Sequence, residues 1–199
     1  MRCFIIFILV LTVSCSQKNV EEKVLYYIET NRDELISGLR KDFFKYRVII
    51  KDDSVNIFNK NQFIYNLEYK IDKKGIYILK DKKPKLLYSF EINNRIKRDD
   101  YLTDFFYDEV ELIGKKAYNI NNKNFTIYHF LEYGVSETLD SYYLEDEGFI
   151  CFYKYDSDDF IYLDSPKAYE LSSEFLRDST FFAQLKLRKL DLQMGRKFD

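Results

Sequence analysis

The feature that most constrains this chain is strict alternation of apolar and polar residues. Phe63, Tyr65, Leu67, Tyr69 and Ile71 are apolar at every second position, and Leu86, Tyr88, Phe90 and Ile92 repeat the pattern. A period of two is the spacing of side chains on one face of a β-strand, so each run offers one face to a core and the other to solvent. Turn-forming residues fall between such runs at 52–53, 72–75, 82–84, 121–124 and 145–148. Connections this short join antiparallel neighbours. The pattern predicts strands at 46–51, 54–58, 62–71, 76–80, 85–92, 107–113, 116–121, 124–132, 140–145, 148–155 and 159–163. An antiparallel meander of about ten strands does not stay flat, so a half-barrel, barrel or sandwich is expected.

The flanks read differently. Val24 and Ile28 stand four apart, as do Leu35, Leu39 and Phe43, which predicts helix over 20–45. Asn31 and Glu34 have capping-box spacing and can divide it. Ser165-Pro166 is a helix-entry signal, with proline at the first helical position, and predicts helix over 167–178. Residues 180–190 fit a helix or a final strand carrying Leu185, Leu187, Leu190 and Leu192. The basic and apolar tail from about residue 186 reads as a frayed terminus, or as a segment that lies on a membrane or a partner. The expected class is α+β, mainly antiparallel β, with an N-terminal helix, the curled meander and a C-terminal helix. Six glycines and two prolines leave little room for flexible linkers, and residues 21–199 read as one domain.

The first residues have another purpose. Arg2 precedes an apolar run from Phe4 to Val13, and ten residues are half of what a membrane-spanning helix needs. The run suits the h-region of an export signal. It ends at Val13-Ser14-Cys15 behind Leu11, which resembles the lipobox of bacterial lipoprotein signal peptides, with Thr12 where Leu or Val is usual. The resemblance covers about fifteen residues. It implies cleavage between Ser14 and Cys15, so that 1–14 is a signal peptide and 15–20 a short tether. It also implies a thioether-linked diacylglycerol and an amide-linked acyl chain on Cys15, since two or more chains hold a bilayer where one does so only marginally. Ser16, rather than an acidic residue, follows the cysteine, which favours the outer over the inner membrane of a bacterial envelope. A plain secretory signal with an incidental cysteine, and an uncleaved apolar helix, are the other readings.

Removing the leader leaves Cys151 as the one free thiol, because Cys3 departs and Cys15 is acylated. The 31 basic and 33 acidic residues give a net charge of −2, which argues against a nucleic-acid partner. His129 is the only histidine, so a Cys151–His129 pair is the first candidate for nucleophilic chemistry. Alternation places His129 with Phe125, Ile127 and Leu131, and Cys151 with Phe149, Tyr153 and Tyr155, which favours two core residues over a reactive pair. Asp156, Asp158 and Asp159 form an acidic run that could attract calcium. It lacks the EF-hand glycine and glutamate, having Ile161 and Lys167 there, so it reads as a solvated turn. No motif for phosphate, dinucleotide, serine-hydrolase or zinc chemistry is present, and no cofactor is implied. The expected function is non-enzymatic: an envelope lipoprotein that binds a partner protein or surface component. The alternatives are a carrier of a lipid or other apolar ligand in the curled sheet, and a hydrolase with an unrecognised carboxylate site.

Overall fold

The computed structural model describes residues 22–31, 44–51, 53–59, 61–98, 108–134, 138–155, 159–178 and 181. They form twelve strands and one helix. The strands are β1 (Lys23–Asn31), β2 (Phe44–Lys51), β3 (Ser54–Asn59), β4 (Gln62–Asp72), β5 (Gly75–Lys80) and β6 (Lys83–Ser89), followed by β7 (Ile96–Lys97), β8 (Glu109–Ile120), β9 (Lys123–Tyr133), β10 (Thr138–Leu144), β11 (Gly148–Lys154) and β12 (Asp159–Leu163). Helix α1 spans Pro166–Arg177.

Strand order across the sheet is β6-β5-β4-β3-β2-β1-β12-β11-β10-β9-β8-β7. Each ladder is antiparallel, as the short turns require. The two ends approach each other, so the sheet bends into a nearly closed barrel. Across this seam an isolated bridge pairs Ile92 with Leu112, and the Asn93 N–H donates to the Leu112 carbonyl at 3.2 Å.

The turns have the chemistry their geometry demands. Asn121 and Asn122 in the β8–β9 turn, and Asp81 and Lys82 in the β5–β6 turn, all have positive φ between 51° and 62°. Two successive such residues match the twist of a tight hairpin. Gly75 answers a close approach instead: a Cβ there would lie 2.0 Å from the Tyr88 carbonyl oxygen.

An N-terminal helix is not what residues 23–31 form; they are strand β1. The remainder of the expected helix, 32–43, lies outside the described residues. The reason for the correction is β1's central position between β2 and β12. Ile28 and Thr30 are buried on one face, and Leu25 and Tyr27 on the other. The buried set thus changes face midway along β1, from Leu25 and Tyr27 to Ile28 and Thr30, with Val24 and Tyr26 exposed, so its apolar residues recur at fours as readily as at twos. Residues 107–113 and 116–121, expected as two strands, belong to the single strand β8, which carries a bulge between Leu112 and Gly114. The C-terminal helix is present as α1. Ser165 caps it, its hydroxyl accepting from the Ala168 N–H at 3.1 Å, with Pro166 in the first turn. Of the 180–190 segment only Phe181 is described.

Two apolar clusters flank the β8–β12 half of the sheet. On the outer face α1 sets Ala168, Leu171, Phe175 and Leu176 against Ile127, Leu131, Tyr142 and Cys151. On the inner face the β5–β6 hairpin brings Ile76, Ile78, Leu87 and Tyr88 against Val110, Leu112, Phe130 and Tyr143. Inside the barrel the rings of Tyr88, Phe130 and Phe149 meet at centroid distances of 4.8–6.4 Å, and Phe90 and Tyr143 join them.

Candidate functional site

The described part of the chain holds two buried polar groups of residues, one on each face of β9 and β10. The first lies under α1. In the ladder register His129 of β9 faces Tyr142 of β10, which faces Cys151 of β11. The two candidate residues therefore share a row and a face, with a tyrosine between them. His129 stacks on Tyr142 at 4.6 Å and Tyr142 on Phe175 of α1 at 4.3 Å. His129 Nε2 lies 3.1 Å from Asp140 Oδ1, and the Tyr155 hydroxyl also bonds this carboxyl. Cys151 is fully buried, and burial pushes its thiol up, away from thiolate, with the Asp140 charge acting in the same direction. A nucleophile needs the opposite environment, exposed and with its pKa lowered. What this row can do is pack.

Burial also raises the Asp140 carboxyl, while its bonds with His129 and Tyr155 pull the other way. A carboxyl raised in the folded state holds its proton where the unfolded chain has released it, so stability falls as pH climbs through that window. The window opens at the ordinary aspartate value, about 3.9, and extends upward from it. Urea midpoints measured from about pH 4 to about pH 8 are expected to decline in the native sequence. Asp140→Asn is expected to flatten that decline, and an unchanged slope would remove Asp140 as its cause.

The second group lies inside the barrel, and sequence reasoning missed it. Arg98, just past β7, pairs with Glu132 of β9 at 2.8 Å, with side-chain exposures of 0% and 2%. Glu132 also accepts from the Tyr88 hydroxyl of β6 at 2.9 Å and from the Ser141 hydroxyl of β10. Arg98 further donates to the Leu87 carbonyl at 3.4 Å and lies over the Tyr88 ring at 4.7 Å. These contacts cross the seam, where backbone pairing is sparse, and they tie β6 to β7, β9 and β10. One signal was readable: Glu132 follows Tyr128 and Phe130 at every second position, a charge directly after two aromatic residues on one strand face.

Glu132 and Asp140 point to opposite faces of the sheet, so these two buried carboxyls do not converge on one cleft. Among the described residues no three His, Cys, Asp or Glu side chains are grouped to hold a metal. Of the acidic run, Asp156 and Asp158 lie outside the described residues, and Asp159 opens β12 opposite Asn31 and Lys154. Ser14 and Cys15 also lie outside them. A cavity of about 180 Å³ sits beside α1, lined by Ile120, Asn121, Lys123, Phe125, Lys167, Glu170 and Leu171. No helix among the described residues is long and apolar enough to cross a membrane.

The outer face continues beyond α1 onto β1–β4 with different contents. Tyr26, Arg47, Phe58 and Phe63 face one another in register across the four strands. The Arg47 guanidinium lies over the Phe58 ring at 4.5 Å, and Phe58 meets Phe63 edge-on at 5.6 Å. Phe63 is 55% exposed and Tyr26 38%. No family model matches this chain, no curated protein matches it, and no solved structure matches it.

Proposed function

We propose that this chain is a cell-envelope protein, held at the membrane by acyl chains on Cys15, that works by binding a partner protein. The observation that carries the reading is the Tyr26–Arg47–Phe58–Phe63 row on the outer face of β1–β4, exposed at its two ends and half-buried at Arg47 and Phe58. Aromatic residues and arginine are the side chains that anchor protein interfaces. The row offers two apolar edges around a cation, which suits a partner segment with an apolar side chain and a carboxylate. The carrier reading needs space for a ligand. Between β6 and β8–β11 the interlocked rings of Tyr88, Phe90, Phe130, Tyr143 and Phe149 fill that region. The hydrolase reading needs paired carboxyls in a cleft, and Glu132 and Asp140 lie on opposite faces.

The test is chemical cross-linking of the full acylated protein in envelopes, followed by affinity measurement with the captured partner. Phe63→Ser alters an exposed side chain, so the fold should persist. It is expected to weaken the complex about tenfold or more, because truncating an anchoring aromatic removes about 2 kcal/mol. Unchanged affinity would reject this row as the binding face. Lipid recovered with the protein in a one-to-one ratio would favour the carrier instead.

A further inference from the structure

Among the described residues three arginines lie over an aromatic ring. Arg95 covers Tyr133 at 4.4 Å and Arg98 covers Tyr88 at 4.7 Å. Each of these two is also closed by a glutamate: Arg95 pairs with Glu109, and Arg98 with Glu132. Arg47 has its ring, Phe58 at 4.5 Å, but meets no carboxylate among the described residues, and its Nε is buried without an acceptor. A half-buried guanidinium stacked on a ring has shed part of its water, and a carboxylate that matches its fork is its strongest partner.

The surroundings narrow the source of that carboxylate. The adjoining row on the same face, Val24, Ile49, Asn56 and Asn66, is uncharged. Asp164, whose N–H bonds the Tyr26 carbonyl, and Glu68, opposite Ser54, stand two strands away from β2. Phosphate groups are recognised by clusters of arginines, whereas this row holds a single one. Terminal carboxylates are captured in nests of free backbone N–H groups. β1 to β4 are interior strands, with backbone groups engaged in ladders on both sides. Three strand spacings, about 14 Å, separate Tyr26 from Phe63, a span that about four extended residues cross.

We propose that Arg47 selects an aspartate or glutamate side chain of the partner, held in fork geometry while an apolar residue beside it packs on Phe63. The inference rests on the reading of this row as the binding face and adds the group recognised there. The partner's carboxylate completes at Arg47 the stack of ring, guanidinium and carboxylate that Glu109 and Glu132 complete at Arg95 and Arg98. A lysine in this place would pair as a point charge, without the planar fork or the stacking on the ring.

The experiment titrates full-length protein in nanodiscs with fluorescent peptides of defined sequence. Three are blocked at both ends, Phe-Asp-Phe, Phe-Asn-Phe and Phe-phosphoserine-Phe, and a fourth, Phe-Ala-Phe, ends in a free carboxylate. The aspartate peptide is expected to bind about tenfold tighter than the asparagine peptide. Arg47→Met keeps apolar volume over Phe58 and is expected to erase that ratio, and Arg47→Lys to retain only part of it. The urea midpoint of each variant checks that the fold persists. Equal binding of the two peptides, no binding of any peptide, or an unchanged ratio in Arg47→Met overturns the proposal. Tighter binding of the phosphoserine or the terminal-carboxylate peptide overturns it too, in favour of that ligand. Phe63→Ser separates the inference from the reading beneath it, and is expected to weaken the aspartate and asparagine peptides alike. If those two bind equally and Phe63→Ser abolishes both, the row stands as the binding face and the carboxylate fails. If Arg47→Met erases the ratio while Phe63→Ser changes neither, Arg47 still selects a carboxylate and the row fails as the binding face.

Discussion

Glu132→Gln is expected to destabilise the protein by about 3–5 kcal/mol, the usual consequence of leaving a buried charge without its partner. Glutamine keeps an oxygen for the Tyr88 and Ser141 hydroxyls, so those two bonds survive the change. What it removes is the negative charge facing Arg98, whose side chain is 0% exposed. The companion variant separates the pair from the surrounding network. Arg98→Met on the Glu132→Gln background removes the stranded cation and fills its place with apolar volume, and it is expected to recover most of the loss. Urea midpoints with their slopes give both values. A Glu132→Gln protein within about 1 kcal/mol of the native sequence would mean that water or another acceptor neutralises Arg98, and the seam would not depend on this pair. A changed slope would show instead that the barrel opens at the β6–β8 edge before it unfolds.

That pair was hard to read from the sequence because its partners stand 34 residues apart and meet only when the barrel bends. Alternation can tell which side of a strand Glu132 occupies. It cannot tell that β6 and β7, the two ends of the strand order, come together over it. The same limit applied to His129 and Cys151. Their parity gave the face, whereas Tyr142 between them follows from the β9–β10–β11 register. Strands β3 to β6 were legible because their turns are polar and their apolar residues alternate. β1 was not, because burial on both faces erased the alternation. β7 has two residues, too few to carry any period. The Ser165-Pro166 entry to α1 was legible because capping is local chemistry, settled within four residues. The aromatic and arginine row on β1–β4 needed the register of three ladders, and no spacing along the chain encodes it.

Phe175→Ala is expected to cost about 3–5 kcal/mol, the range for removing a fully buried aromatic ring. Phe175 is 0% exposed, and its ring is the plate that covers Tyr142, which in turn covers His129. The cavity left behind would lie directly over the polar row. Its second effect follows from the first: water entering there would relax the burial that raises Asp140, so the decline of stability with pH should weaken in the same variant. Phe175→Leu provides the contrast. It keeps most of the volume and the dryness, and should cost less than about 1.5 kcal/mol while preserving the pH slope. If alanine and leucine lower stability alike and leave the slope alone, α1 is not what shields the His129–Asp140 pair. If only alanine flattens the slope, the helix stabilises the barrel and also keeps its one histidine and the adjacent carboxyl out of water.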